Sequence, residues 1–158
     1  MKTNCNRAVA FQFFVALSFA FVACDNCSDT VDAPVSTPIT FSIVDPVGNN
    51  LVDTSRSYYS VDSVKLFDIE DKEWLYLTYL YVPAAGGYVF STDCRKNSSG
   101  KSSLILKLNS MDSDTLDVWY KQKDTKCFTL YEYTYFQHNG KDLRQSPLTS
   151  ALLITKAN

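Results

Sequence analysis

The chain contains one histidine, five glycines and five prolines in 158 residues. With a single histidine, His138, there is no His-pair motif for a catalytic zinc site. No G-x-S-x-G elbow and no P-loop occurs either, which removes the commonest hydrolase and nucleotide-binding chemistries. The scarcity of glycine and proline also argues against a low-complexity chain. What the chain has instead is aromatic mass: 10 Tyr, 10 Phe and 2 Trp, enough apolar surface for one folded domain.

Clustered basic residues are missing too, so nucleic acid is not an expected partner. Lys2 and Arg7 are the only basic residues before Cys24, and all 17 acidic residues follow it. From Cys24 onward the chain carries 13 basic against 17 acidic side chains, a net charge of −4. Long apolar runs are likewise absent. The one candidate, Ala8 to Ala23, is 16 residues broken by Gln12 and Ser18, shorter than the roughly 20 residues of a spanning helix. Behind two basic residues, it reads as an export signal.

That stretch ends in Phe21-Val22-Ala23-Cys24, which resembles the lipobox of bacterial lipoproteins. The resemblance implies cleavage before Cys24 and acylation of that cysteine, with more than one acyl chain for stable attachment. Phe21 and Val22 depart from the usual residues, and a rival cut exists. Ser18-Phe19-Ala20 offers the small residues that ordinary signal peptidase reads, giving a soluble exported chain that starts at Phe21. After Cys24, "DNCSDTVDAPVSTP" holds no aromatic residue and reads as a flexible tether. The expected organisation is a signal peptide over 1–23, an acylated cysteine and tether over 24–38, and a β domain over 39–158.

From Ile39 the chain alternates strands with turns. In "ITFSIVD", Ile39, Phe41 and Ile43 oppose Thr40, Ser42 and Val44, the period-2 signature of a half-buried strand. Further strands are predicted over Val61 to Ile69, Trp74 to Val82, Tyr88 to Thr92, Ser103 to Asn109, Thr115 to Gln122, Cys127 to Phe136 and Thr149 to Lys156. The segments between them are rich in Gly, Asn, Asp and Ser. The expected fold is an all-β antiparallel sandwich of about seven or eight strands, transthyretin-like or immunoglobulin-like, behind a signal helix and tether. The last strand, "ALLITK", is apolar enough to lie centrally.

"FSIVDPVGNNLVD" and "DTLDVWYKQKDTKCFTLYEYTYFQHNGK" resemble segments of the small uncharacterised β-sandwich lipoproteins of Bacteroidota, over residues 39 to 156. The resemblance implies a fold class and a cell-envelope address, outer membrane in particular, and brings no catalytic residues. Acidic Asp25, Asp29 and Asp32 behind the lipid cysteine look like the surface-export signals of such proteins.

Cys5 leaves with the signal. If Cys24 is acylated, Cys27, Cys94 and Cys127 remain as an odd set; with the rival cut, Cys24 returns and pairing is even. Cys94 and Cys127, at strand ends, are the candidate disulfide, a bridge worth about 3 to 4 kcal/mol on the loop-entropy argument.

Three groups are candidates for chemistry. His138, in "FQHNGKD", lacks an evident nucleophile and reads as an exposed turn residue beside the Asn139-Gly140 hairpin signal. Asp112, Asp114 and Asp117 fall close together, but the EF-hand order fails and a solvated turn is the expectation. The aromatic strands remain. On strict alternation Tyr131, Tyr133 and Tyr135 share one face, and Trp119 stands beside Asp117 and Lys121 opposite Leu116, Val118 and Tyr120. Exposed aromatics on a sheet stack sugars or mark a partner surface, so Trp119, Tyr131, Tyr133 and Tyr135 are the candidate ligand-facing residues. Tyr also forms strands well and covers sheet faces.

The reading is a non-enzymatic envelope lipoprotein held to the membrane by its N-terminal lipid, binding or scaffolding a protein or glycan, with no catalytic residue, metal or cofactor. The alternatives are a soluble exported domain, or a small enzyme or inhibitor with a loop-built site.

Overall fold

The computed structural model describes residues 35–53, 58–94, 99–125 and 128–156. The leader, Cys24, Cys27, the acidic residues of the tether and Cys127 lie outside the described residues. Residues 34–158 form one compact unit.

Strands account for nearly all its regular structure. They are β1 (Val35–Ser36), β2 (Ile39–Val44), β3 (Lys65–Asp68), β4 (Glu73–Leu75), β5 (Thr78–Val82) and β6 (Gly87–Thr92). The second half adds β7 (Lys101–Lys107), β8 (Ser113–Asp124), β9 (Thr129–His138), β10 (Lys141–Asp142), β11 (Arg144–Gln145) and β12 (Leu152–Thr155). They make two open sheets. One runs β1-β9-β8-β7-β3-β4, with β10 also on β9; the other runs β11-β12-β2-β6-β5. This is an all-β, sandwich-like architecture with one hydrophobic core.

The core is built where the period-2 pattern is cleanest. In β8, Leu116, Val118 and Tyr120 are buried while Asp117 and Trp119 are not. Leu116 pairs with Leu104, and Leu106 with Leu66, carrying the apolar face across three strands. From the other sheet, Phe41 stacks on its cross-strand partner Phe90 with ring centroids 5.3 Å apart, beside Ile43 and Ile154.

Four strand expectations need correction. β2 is not half-buried: Ser42 and Val44 are buried as well as Phe41, so both faces of this interior strand are covered. The pairing is not wholly antiparallel, since β12 runs parallel to β2 and β1 parallel to β9. Trp74 to Val82 is not one strand. Its first half, β4, ends the seven-stranded sheet and its second half, β5, edges the five-stranded one. The chain changes sheets at Tyr76-Leu77, where the Tyr76 carbonyl accepts a hydrogen bond from Thr92 Oγ1 at 2.8 Å. Val61–Ser63, expected as strand, is a 3-10 turn leading into β3. The closing strand β12 lies between β11 and β2, in the interior of its sheet.

Candidate functional site

The aromatic residues singled out in the sequence do not form one surface. β8 and β9 pair with Trp119 opposite Tyr135 and Tyr120 opposite Tyr133, and Thr134 is the extra residue between them. This is a β-bulge, and one inserted residue reverses which face the rest of the strand presents. Tyr135 therefore stays with Trp119 on the outer face, rings 5.0 Å apart. Tyr133 and Tyr131 turn to the other face, where Tyr133 meets Phe136 and Tyr131 meets Tyr120. Tyr133 Oη also lies 3.5 Å from Cys94 Sγ, and burial, helped by that contact, pushes the phenol pKa well above its ordinary value. Cys94 is thus placed against the core, while its candidate partner Cys127 lies outside the described residues.

Trp119 is a half-buried rather than an open ring. Lys101 Nζ sits 4.8 Å over its centroid and Tyr135 packs against it. Lys101 also pairs with Asp117 at 3.0 Å, and Asp117 Oδ1 accepts from Ser103 Oγ at 2.6 Å. Tyr135 donates to Asp142, which lowers the carboxyl pKa. These contacts fix the face and leave little of the indole for a ligand.

A cluster of open aromatics lies at the β4–β5 crossover. Trp74 is 51% exposed, Tyr76 83% and Tyr79 49%, with Leu80 and Tyr81 also exposed along β5. Leu75 and Leu77 turn inward and pack on the core. Where the chain steps between sheets, Trp74, Tyr76 and Tyr79 line a groove of about 350 Å³ floored by Leu75, Leu77 and Val64. Asp62 and Lys65 supply its charged rim, and Tyr79 Oη donates to Asp62 Oδ1 at 3.4 Å. Phe67 meets the Trp74 ring edgewise at 5.1 Å, and Lys107 Nζ lies 5.6 Å from its centroid, so the indole is braced while half of it stays open. In the sequence these aromatics are marked only as part of the strand expected over Trp74 to Val82. The available signal was that apolar side chains occupy both phases of residues 74–82, more than one half-buried strand can cover.

The acidic stretch and His138 form a different feature from either expectation. Asp114 is buried, and Lys156 Nζ bridges Asp112 Oδ1 at 2.7 Å and Asp114 Oδ2 at 2.8 Å. Asn139 Nδ2 donates to Asp114 Oδ1 at 2.7 Å, and Tyr59 Oη to Asp112 Oδ2 at 2.6 Å. His138 is buried, not an exposed turn residue: it is the last residue of β9, with Nε2 3.1 Å from Asp114 Oδ2. Burial alone would raise the Asp114 pKa, but hydrogen bonds from Lys156, Asn139 and His138 outweigh it and hold the carboxyl below its ordinary range. Asp117 points elsewhere, so the three acids never converge, and Lys156 supplies the positive charge between the other two. Among the described residues no three His, Cys, Asp or Glu side chains are grouped as metal ligands. The Asn139-Gly140 turn is the tight hairpin expected, both residues having positive φ.

No known protein family, curated protein or solved structure matches the chain.

Proposed function

We propose that this chain is a non-enzymatic, lipid-anchored envelope protein whose β domain holds a surface glycan in the groove at the β4–β5 crossover. The observation that carries the reading is the exposure of Trp74 and Tyr76 beside a groove with Asp62 and Lys65 at its rim. A braced, half-open indole offers a flat apolar face to a sugar ring, and the charged rim offers partners to its hydroxyls. A groove of about 350 Å³ is at the small end for ligand sites, suited to one or two rings. The export signal and the Phe21-Val22-Ala23-Cys24 sequence support anchoring at Cys24 and an outer-membrane address, as in the Bacteroidota-type lipoproteins the chain resembles. The two-sheet architecture suits a transthyretin-like or immunoglobulin-like domain.

A second reading has one observation in its favour. β5 is the uncharged edge strand "TYLYV", and such an edge can accept an added strand from a partner protein. A glycan screen with the parent, Trp74→Ala and Trp119→Ala separates these. The account predicts glycan binding that Trp74→Ala abolishes and Trp119→Ala largely keeps. Failure of the parent to bind any glycan overturns the first reading and leaves the second.

A further inference from the structure

On the side of the domain where β10 and β11 lie, the chain again changes sheets. β10 pairs with β9 in the seven-stranded sheet and β11 with β12 in the five-stranded one, with Leu143 between them. A groove of about 650 Å³ opens there, within the range of small-molecule sites. Val44, Leu143 and Leu153 give it apolar walls, and His138, Lys141 and Arg144 its cationic or polar side.

The two acids that line this groove are held by hydrogen bonds from their own neighbours, not by its two cations. Asp45 lines it but is committed to its own loop: Oδ1 accepts from Val47 N and Asn49 N, both at 2.9 Å, and Oδ2 from Asn49 Nδ2 at 2.8 Å. Those bonds hold the loop wall in place and lower the Asp45 pKa. Asp142 also lines the groove, but its carboxylate accepts hydrogen bonds from Gln137, its cross-strand partner, and from Tyr135. Lys141 is the cross-strand partner of His138, so the two side chains share the opposite face. His138 is itself fixed by Asp114. Neither the Lys141 nor the Arg144 side chain has an ion-pair or hydrogen-bond partner among the described residues, and both are exposed. Two unpaired cations beside apolar walls are complementary to a ligand with an anionic head and an apolar body.

We propose that this groove binds a small organic anion, an apolar body carrying a carboxylate or phosphate head, with Lys141 and Arg144 on the head, His138 beside it, and Val44, Leu143 and Leu153 against the body. The site is separate from the aromatic groove and stands independently of the glycan reading.

The test is titration of the full chain with phenyl phosphate and with benzoate, using benzyl alcohol as the neutral comparison. The proposal expects saturable binding of at least one anion, at least tenfold tighter than the alcohol. Lys141→Gln and Arg144→Gln should each weaken it about tenfold or more, the loss of one charge-assisted hydrogen bond. Both side chains are exposed, so these variants keep the fold, which an unchanged melting temperature verifies. Three results overturn the proposal: neither anion binds saturably, the anions bind no tighter than benzyl alcohol, or the Lys141→Gln/Arg144→Gln double variant binds as tightly as the parent.

Discussion

Lys156 places its ammonium 2.8 Å from the Asp114 carboxylate, joining the end of the chain to the start of β8. Lys156 follows β12 of the five-stranded sheet and Asp114 lies on β8 of the seven-stranded one, so this contact ties the two sheets together. Both side chains are largely buried, and removing one partner of such a pair leaves the other charge uncompensated. Lys156→Met should therefore cost about 3 kcal/mol in urea unfolding. Lys156→Arg should recover part of that loss, and a Lys156→Met variant as stable as the parent would show that the pair contributes nothing.

The same network sets a pH dependence. The Asp114 pKa is lower in the folded chain than in the unfolded one, so its contribution to stability is complete above the unfolded value, about 4, and is lost as pH falls through the folded value. Lys156 has a raised pKa, so its contribution is complete below the unfolded value, about 10.4, and is lost as pH rises through the folded one. Melting temperature should fall on both sides of a plateau between these limits. Asp114→Asn should flatten the acid limb, and an acid limb identical to the parent's would count against the assignment.

Ser42 offers a change in the opposite direction. Its hydroxyl is fully buried in β2 with no hydrogen-bond partner among the described residues. Leaving a buried polar group unsatisfied costs free energy that an apolar replacement of similar size avoids. Ser42→Ala should raise stability, by up to about 1 kcal/mol. A loss of stability in chemical denaturation would mean the hydroxyl has a role that its surroundings do not reveal.

How much of this was legible in the sequence varies by element. β8 could be read directly, because Leu116, Val118 and Tyr120 alternate against Asp117 and Trp119 and one face alone is buried. β9 could not, because the bulge at Thr134 depends on its pairing with β8 and leaves no local mark among residues that favour strands at every position. Periodicity was also blind to the change of sheet at Tyr76-Leu77, since neither Gly nor Pro marks it and apolar side chains continue through it. The burial of His138 follows from Asp114 and Lys156, which are 24 and 18 positions away in the chain. Turn chemistry gave the Asn139-Gly140 hairpin correctly but said nothing of what the residue before it would meet.

The anchoring proposal has its own measurement. The intact mass of the mature protein from host membranes should equal Cys24 to Asn158 plus acyl chains. A lipid-free chain beginning at Phe21 would make the protein soluble and return Cys24 to the set available for disulfides.

The central claim is that the groove at the β4–β5 crossover is the glycan site, and the chain's two tryptophans allow it to be tested one ring at a time. In a Trp119→Phe background all indole emission comes from Trp74. Across the glycan screen, the account predicts a saturable shift or quenching of that emission for the ligand that binds, lost when Tyr76 is changed to Ala. Emission unchanged by every glycan, or changed equally with Tyr76 removed, would contradict it.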